Sequence, residues 1–140
     1  MSFTRERMSK VRVGVVGVGH MGKEHARIYS RSARAEFIGF HDPDAATARK
    51  IASQHGGTAF ATLGELLQHV DALTIASPTF THHAVGMAAL TAGKHLLIEK
   101  PITDDLPQAQ ELAREAANRG LILQVGHIER FNPAFRALEG

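Results

Sequence analysis

Residues 11–42 constrain this chain more than any other stretch: VRVGVVGVGHMGKEHARIYSRSARAEFIGFHD. The first seven residues are nearly all apolar or glycine, as in a strand buried on both faces. Gly17-Val18-Gly19-His20-Met21-Gly22 follows, a G-x-G-x-x-G turn. A helical period then places Met21, His25, Ile28 and Tyr29 on one face. A second apolar strand over 37–40 ends near Asp42. Strand, glycine turn, helix, strand and acid in that order form half of a dinucleotide-binding unit.

Each part has a task there. Gly17 permits the tight turn out of the strand, Gly19 lets backbone approach a pyrophosphate, and Gly22 lets the helix lie close on the sheet. The helix start presents free N–H groups and the positive end of its dipole. Asp42 stands twenty residues past Gly22, where an acid accepts hydrogen bonds from an adenosine ribose. Gly17, Val18, Gly19, His20, Met21, Gly22 and Asp42 are therefore the candidate cofactor-binding set. Asp42 also suits an N-cap before Pro43, and both roles can hold at once. A glycine-rich turn that only packs leaves the acid unexplained. The acid argues for NAD, since NADP needs a cation for its 2′-phosphate and the first Arg or Lys after Asp42 is Arg49. His41 is the one group that, protonated, would face a phosphate.

At 140 residues the chain is long enough for one domain with a real core, and 44% apolar content is that of an ordinary globule. A net charge of +2, with acids and bases interleaved, implies no nucleic-acid stripe. The absence of cysteine excludes disulfides and thiolate metal sites. No run approaches a membrane span, and the first residues, MSFTRERMSK, lack the apolar core of a signal peptide. The expectation is a cytoplasmic protein whose residues 1–9 form a flexible extension. Nine histidines invite a metal reading, but His82 and His83 are adjacent and no H-x-x-x-H pair encloses an acid. No metal site is expected.

The remainder alternates strand and helix. A helix is expected over 45–52 with Gly56 as its stop, a short strand at 59–60, and a capping box at Thr62 and Glu65 opening a short helix. Strands follow at 70–76, 95–98 and 121–126, separated by helices over 80–92 and 105–119. The second of these helices turns Leu106, Ala109, Leu112, Ala113 and Ala116 inward. Asn132-Pro133 suits the start of a last helix. The pattern predicts an α/β fold, a doubly wound parallel sheet of the Rossmann kind. Its boundaries are 10–131 for the domain and 132–140 for a helix leading onward. In such sheets ligands sit beyond the carboxyl ends of the strands. The glycine turn, Asp42, Ser77-Pro78-Thr79, Glu99-Lys100-Pro101 and Gly126-His127 all fall there.

Lys100 follows a wholly apolar strand and precedes a proline that fixes a tight turn, cis or trans. An ammonium there is suited to donate to a substrate hydroxyl and to stabilise the alkoxide that forms as hydride leaves the carbon. Glu99 would orient Lys100 or bind cofactor. The plainer alternative is an ion pair at a strand end.

The glycine turn, the segment SPTFTHH and above all Glu99-Lys100-Pro101 resemble the Gfo/Idh/MocA oxidoreductase family, from about Val11 onward. The resemblance implies that Lys100 is catalytic, near the nicotinamide and the reacting hydroxyl. It also implies that Ser77, Pro78, Thr79, His82 and Glu99 help line the cofactor pocket. Many family members carry Asn where this chain has Thr79, and His82 also suits an ordinary helix surface. The closing segment, GHIERFNP, resembles the branch that oxidises the 3-hydroxyl of UDP-N-acetylglucosamine. Arg130 in it would meet a substrate phosphate or carboxylate, or simply pack.

Members of the family carry a second domain that holds much of the substrate site, usually with a further acid–base side chain. That substrate domain is absent from these residues. The expectation is a chain that binds NAD but turns over little alone, with a sugar or nucleotide-sugar substrate and a homo-oligomer formed through the missing domain. Two alternatives stand beside it. One is a dehydrogenase of the same family acting on inositol, another polyol or an aldose. The other is an NAD-binding module without catalysis.

Overall fold

A computed structural model describes residues 9–138. Residues 1–8 of the extension expected at 1–9, and the last two residues of the chain, lie outside that range. Six parallel strands, β1 (Val11–Val16), β2 (Ala35–His41), β3 (Thr58–Phe60), β4 (Ala72–Ile75), β5 (His95–Ile98) and β6 (Leu123–Val125), form one sheet in the order β3-β2-β1-β4-β5-β6. The helices are α1 (His20–Arg31), α2 (Ala45–His55), α3 (Leu63–His69), α4 (His82–Thr91), α5 (Leu106–Asn118) and α6 (Pro133–Arg136). No helix among the described residues is long and apolar enough to cross a membrane.

The two faces of the sheet are covered because successive strand side chains point opposite ways. Val15 joins Phe40, Ala26, Ala48 and Ile51 in a cluster beneath α1 and α2. Val16, its neighbour, joins Leu66, Ile75, Leu90, Ile98 and Leu112 in the larger cluster beneath α3, α4 and α5. β1 is thus apolar at every buried position, as a strand with helices on both faces must be. The buried hydroxyl of Thr74 on β4 is satisfied by the Tyr29 hydroxyl of α1 at 2.7 Å, which pins that helix across the sheet.

Local chemistry explains where elements begin. The Thr62 hydroxyl accepts from Glu65 N while the Glu65 carboxylate accepts from Thr62 N, the expected capping box of α3. Asp105 caps α5 and Asn132 caps the short α6. The cap of α2 corrects an expectation: it is Asp44, which accepts from Ala46 N and Thr47 N, and not Asp42. Asp42 is committed elsewhere. The helix expected from residue 80 begins at His82, because residues Thr79–Thr81 tighten into a 3-10 turn with Thr81 N donating to Pro78 O.

Two helix faces also differ from the periodic reading. On α1 the buried residues are Gly22 and Ala26, and Ile28 is 54% exposed. Small side chains let that helix sit close to the sheet, so its inner face is small rather than apolar and large. On α5 Leu112 and Ala116 are buried, whereas Leu106 is 68% exposed and Ala113 is exposed. Ala113 lies roughly 100° around the helix from Leu112.

Candidate active site and cofactor cleft

The strand order reverses between β1 and β4, so the loops leaving these neighbours diverge and open a crevice at the carboxyl edge of the sheet. Gly17 leaves β1 at φ 79°, a left-handed conformation that favours glycine, and its N–H donates to His41 O at 2.9 Å. A Cβ at Gly17 would lie 2.6 Å from the Ser77 backbone, and one at Gly22 would run into the Gly17 carbonyl. Around Gly19 nothing beyond its own stretch of backbone lies within 4 Å of where a Cβ would be. Two glycines are therefore required by the protein's own packing, and the third faces open space. Gly19 is also the N-cap of α1 and makes no side-chain capping bond.

That open space is a cleft of about 800 Å³. Gly17, Gly19, His20, Met21 and Asp42 form one side of it, and Ser77 and Pro78 the other. Sequence reasoning missed part of the wall. Leu63, Phe80, Thr81 and Val85 also line it, and Phe80 is 76% exposed. The signal was present, since an apolar ring in a loop leaving a central strand has no core to fill, but such residues are ordinary on surfaces.

Asp42 sits at the end of β2 with one oxygen accepting from Val18 N at 2.9 Å and the other from Asp44 N at 2.8 Å. Each carboxylate oxygen keeps accepting capacity beyond these bonds. No Arg or Lys lines the cleft among the described residues, and His41 turns Nδ1 to the Phe60 carbonyl at 3.1 Å. This donor and acceptor set fits a ribose diol better than a ribose phosphate. The open approach at Gly19, the uncapped start of α1 and the acid of Asp42 fit a dinucleotide.

At the end of β5, Glu99 is only 6% exposed. One of its oxygens lies 2.8 Å from Nε2 of His25 on α1, and the other accepts from Lys100 N at 3.3 Å. Gly126, after β6, packs on this carboxylate so closely that a Cβ would come within 3.1 Å. The Lys100–Pro101 peptide is cis. The Lys100 side chain is exposed and lines a second cavity of about 290 Å³, together with His127, Arg130 and Arg136. Glu99 lines neither cavity; it stands behind Lys100 as a support.

His82 and Thr79 are also placed off the cleft wall. The His82 ring is 1% exposed, with Nε2 2.8 Å from Ser77 O and Nδ1 3.0 Å from Pro101 O. It bridges the loops after β4 and β5 instead of facing the cleft. The next residue, His83, pairs with Glu111 of α5 at 2.8 Å. Among the described residues no group of three or more His, Cys, Asp or Glu is arranged to hold a metal.

A parallel sheet with a glycine-turn cleft at its switch point, an acid after β2 and a lysine after β5 defines a dinucleotide-binding domain of an oxidoreductase. The chain belongs to the Gfo/Idh/MocA family, an oxidoreductase family with an NAD-binding Rossmann fold, whose profile matches residues 11–127. It is 43% identical over 131 residues to the UDP-N-acetylglucosamine 3-dehydrogenase of Acidithiobacillus ferrooxidans, covering 94% of this chain and 41% of that protein. The solved structure of that enzyme superposes with a TM-score of 0.88 over 94% of this chain and 43% of the other. Inositol 2-dehydrogenase 1 of Saccharopolyspora erythraea is 35% identical, covering 89% of this chain and 39% of the relative. The scyllo-inositol dehydrogenase of Lactobacillus casei, solved with NAD(H) and scyllo-inositol, superposes with a TM-score of 0.87 at 28% identity, over 94% of this chain and 40% of that one. The chain thus spans about two-fifths of the length of these relatives.

Proposed function

We propose that this chain is the cofactor-binding half of an NAD-dependent dehydrogenase that oxidises a secondary hydroxyl of a sugar, the 3-hydroxyl of a UDP-N-acetylhexosamine being the favoured substrate. The observation that carries this reading is Lys100. It projects from the carboxyl end of β5, on the edge that bears the glycine cleft, with its backbone fixed by a buried carboxylate.

In this reading the turn from Gly17 to Gly22 holds the pyrophosphate, with Gly19, His20 and Met21 facing it and Gly17, Val18 and Gly22 fixing the turn's shape, and Asp42 holds the adenosine ribose. Ser77 and Pro78 form the facing wall. When bound, NAD supplies the hydride acceptor. Lys100 Nζ holds the substrate oxygen and stabilises the negative charge that gathers there as the C–H bond breaks. Glu99 and His25 keep the lysine backbone in place. The residue that takes the hydroxyl proton belongs to the second domain that the family resemblance implies. These 140 residues alone are then expected to bind NADH and to turn over little.

Nicotinamide fluorescence tests the cofactor half. NADH should bind more tightly than NADPH, and Asp42→Ala should weaken NADH by about tenfold or more, the worth of one to two hydrogen bonds to a charged acceptor. Equal binding of both cofactors by the unaltered chain would refute the assignment to Asp42. For the chemistry, Lys100→Ala in a form carrying the second domain should lower kcat by roughly 10²–10⁴ with NADH affinity kept. Unchanged turnover would remove Lys100 from the chemistry, and no turnover in the unaltered two-domain form would favour the non-catalytic module. An inositol or related polyol as substrate is the second reading, favoured by the inositol dehydrogenases among the relatives.

A further inference from the structure

The second cavity differs from the cofactor cleft in its charge. Lys100 leaves β5 and His127 leaves β6, and these strands are paired neighbours, with Ile98 opposite Val125. The chain then makes the 3-10 turn Ile128–Phe131, which carries Arg130, and the Asn132-capped α6, which carries Arg136. Asn132 accepts from Ala134 N and so sets the direction of α6, returning Arg136 towards the cavity. A lysine and two guanidiniums from three separate segments thereby meet around about 290 Å³.

The ion pairs of the described residues engage Arg12, Arg27, Arg119, His25 and His83; none takes Lys100, Arg130 or Arg136. The one acid on the cavity wall, Glu129, receives a hydrogen bond from Asn132 Nδ2 at 2.8 Å. An excess of positive charge therefore lines the cavity. A neutral polyol offers nothing to balance it, whereas a phosphate ester offers charge and pairs of oxygens that the planar guanidinium fork can engage together.

We propose that this cavity is an anion subsite, in which Arg130 and Arg136 hold a phosphate or diphosphate ester of the substrate while Lys100 faces the reacting hydroxyl. The assignment rests on the reading of Lys100 as the reaction centre. It makes phosphate-bearing sugars the substrate class and sets neutral polyols aside.

The test uses the ¹⁵N-labelled chain loaded with NADH, because the glycine loop is itself a diphosphate binder and must be filled first. Inorganic pyrophosphate is the probe. Saturable amide shifts at Lys100 and over residues 127–136 are expected, with affinity reduced tenfold or more in Arg130→Gln/Arg136→Gln. UDP-N-acetylglucosamine and glucose 6-phosphate should displace the probe, each marking one source of the phosphate, and myo-inositol should not. Shifts confined to other regions, undiminished affinity in the double variant, or displacement by myo-inositol as effective as by the phosphate esters would overturn the proposal. The NADH-induced shifts at residues 17–22, recorded in the same spectra, report on the cofactor reading separately. Their loss would count against that reading, whatever the pyrophosphate arm shows.

Discussion

Gly19 and Gly22 sit three residues apart in one motif, yet the structure assigns them different masters. Gly22 answers to the protein, since a Cβ there meets the Gly17 carbonyl. Gly19 answers to no neighbour, since the space beyond it is open, and in the proposed complex that space takes the pyrophosphate. The pair makes a sharp contrast. Gly22→Ala should cost about 1–3 kcal/mol of stability, as overpacking does, and should lose cofactor as well. Gly19→Ala should leave the urea midpoint nearly unchanged, within about 0.5 kcal/mol, and should still weaken NADH by tenfold or more. A large loss of stability in Gly19→Ala would mean that the loop is packed from both sides and that the open face is not a binding face.

At the scale of elements, starts are decided by caps. The Thr62–Glu65 capping box is the simplest case, with both reciprocal bonds formed on an exposed surface. Thr62→Ala should cost about 1 kcal/mol, read as a lowered Tm, with no effect on NADH affinity because Thr62 does not line the cleft. An unchanged Tm would show that α3 is held by the burial of Leu66 and Leu67 alone. Caps and strands were legible in the sequence because they are local: an apolar run, a glycine stop and a Thr-x-x-Glu pattern each act within a few residues. So was the glycine turn, whose spacing encodes its geometry. What escaped is set by partners distant in sequence. Ile28 fits a helical stripe but lies off the face that Gly22 and Ala26 press on the sheet. Asp42 looks like a cap until Val18, across the paired strand, claims its oxygen. His82 lies in a motif beside the cleft, but carbonyls from the loop after β5, nineteen residues on, hold its ring away from it. The walls contributed by Leu63 and Phe80 could not be named because periodicity says which residues leave the core, not which space they border.

At the scale of the whole molecule, a pH-sensitive tie joins two strands at the edge opposite the cleft. Arg12, early in β1, donates to Asp71, just before β4, through its backbone N–H and two guanidinium nitrogens, the shortest at 2.6 Å. The guanidinium beside it, with the Arg12 backbone N–H, holds the Asp71 carboxyl down from 3.8 to about 2. A carboxyl with a lowered pKa in the folded state stabilises the fold fully above its ordinary value. That contribution fades as pH falls from about 4 towards 2. Both side chains are more than 40% exposed, so solvent screening keeps the effect small. Urea midpoints of the chain and of Asp71→Asn should therefore differ at pH 5 and converge as pH approaches 2; a constant gap would mean the pair contributes nothing through ionisation.

The carboxylate of Asp42 joins the molecule's architecture to its choice of ligand in one group. It tethers the glycine loop through Val18, and in the proposed complex it meets the ribose. A lineage drifting towards NADP cannot simply discard it, since any replacement that admits a 2′-phosphate must still offer Val18 N–H an acceptor. The accessible evolutionary routes run through Ser, Thr or Asn at this position, joined by a new cation nearby, and a bare Asp42→Ala step is a dead end between two cofactors.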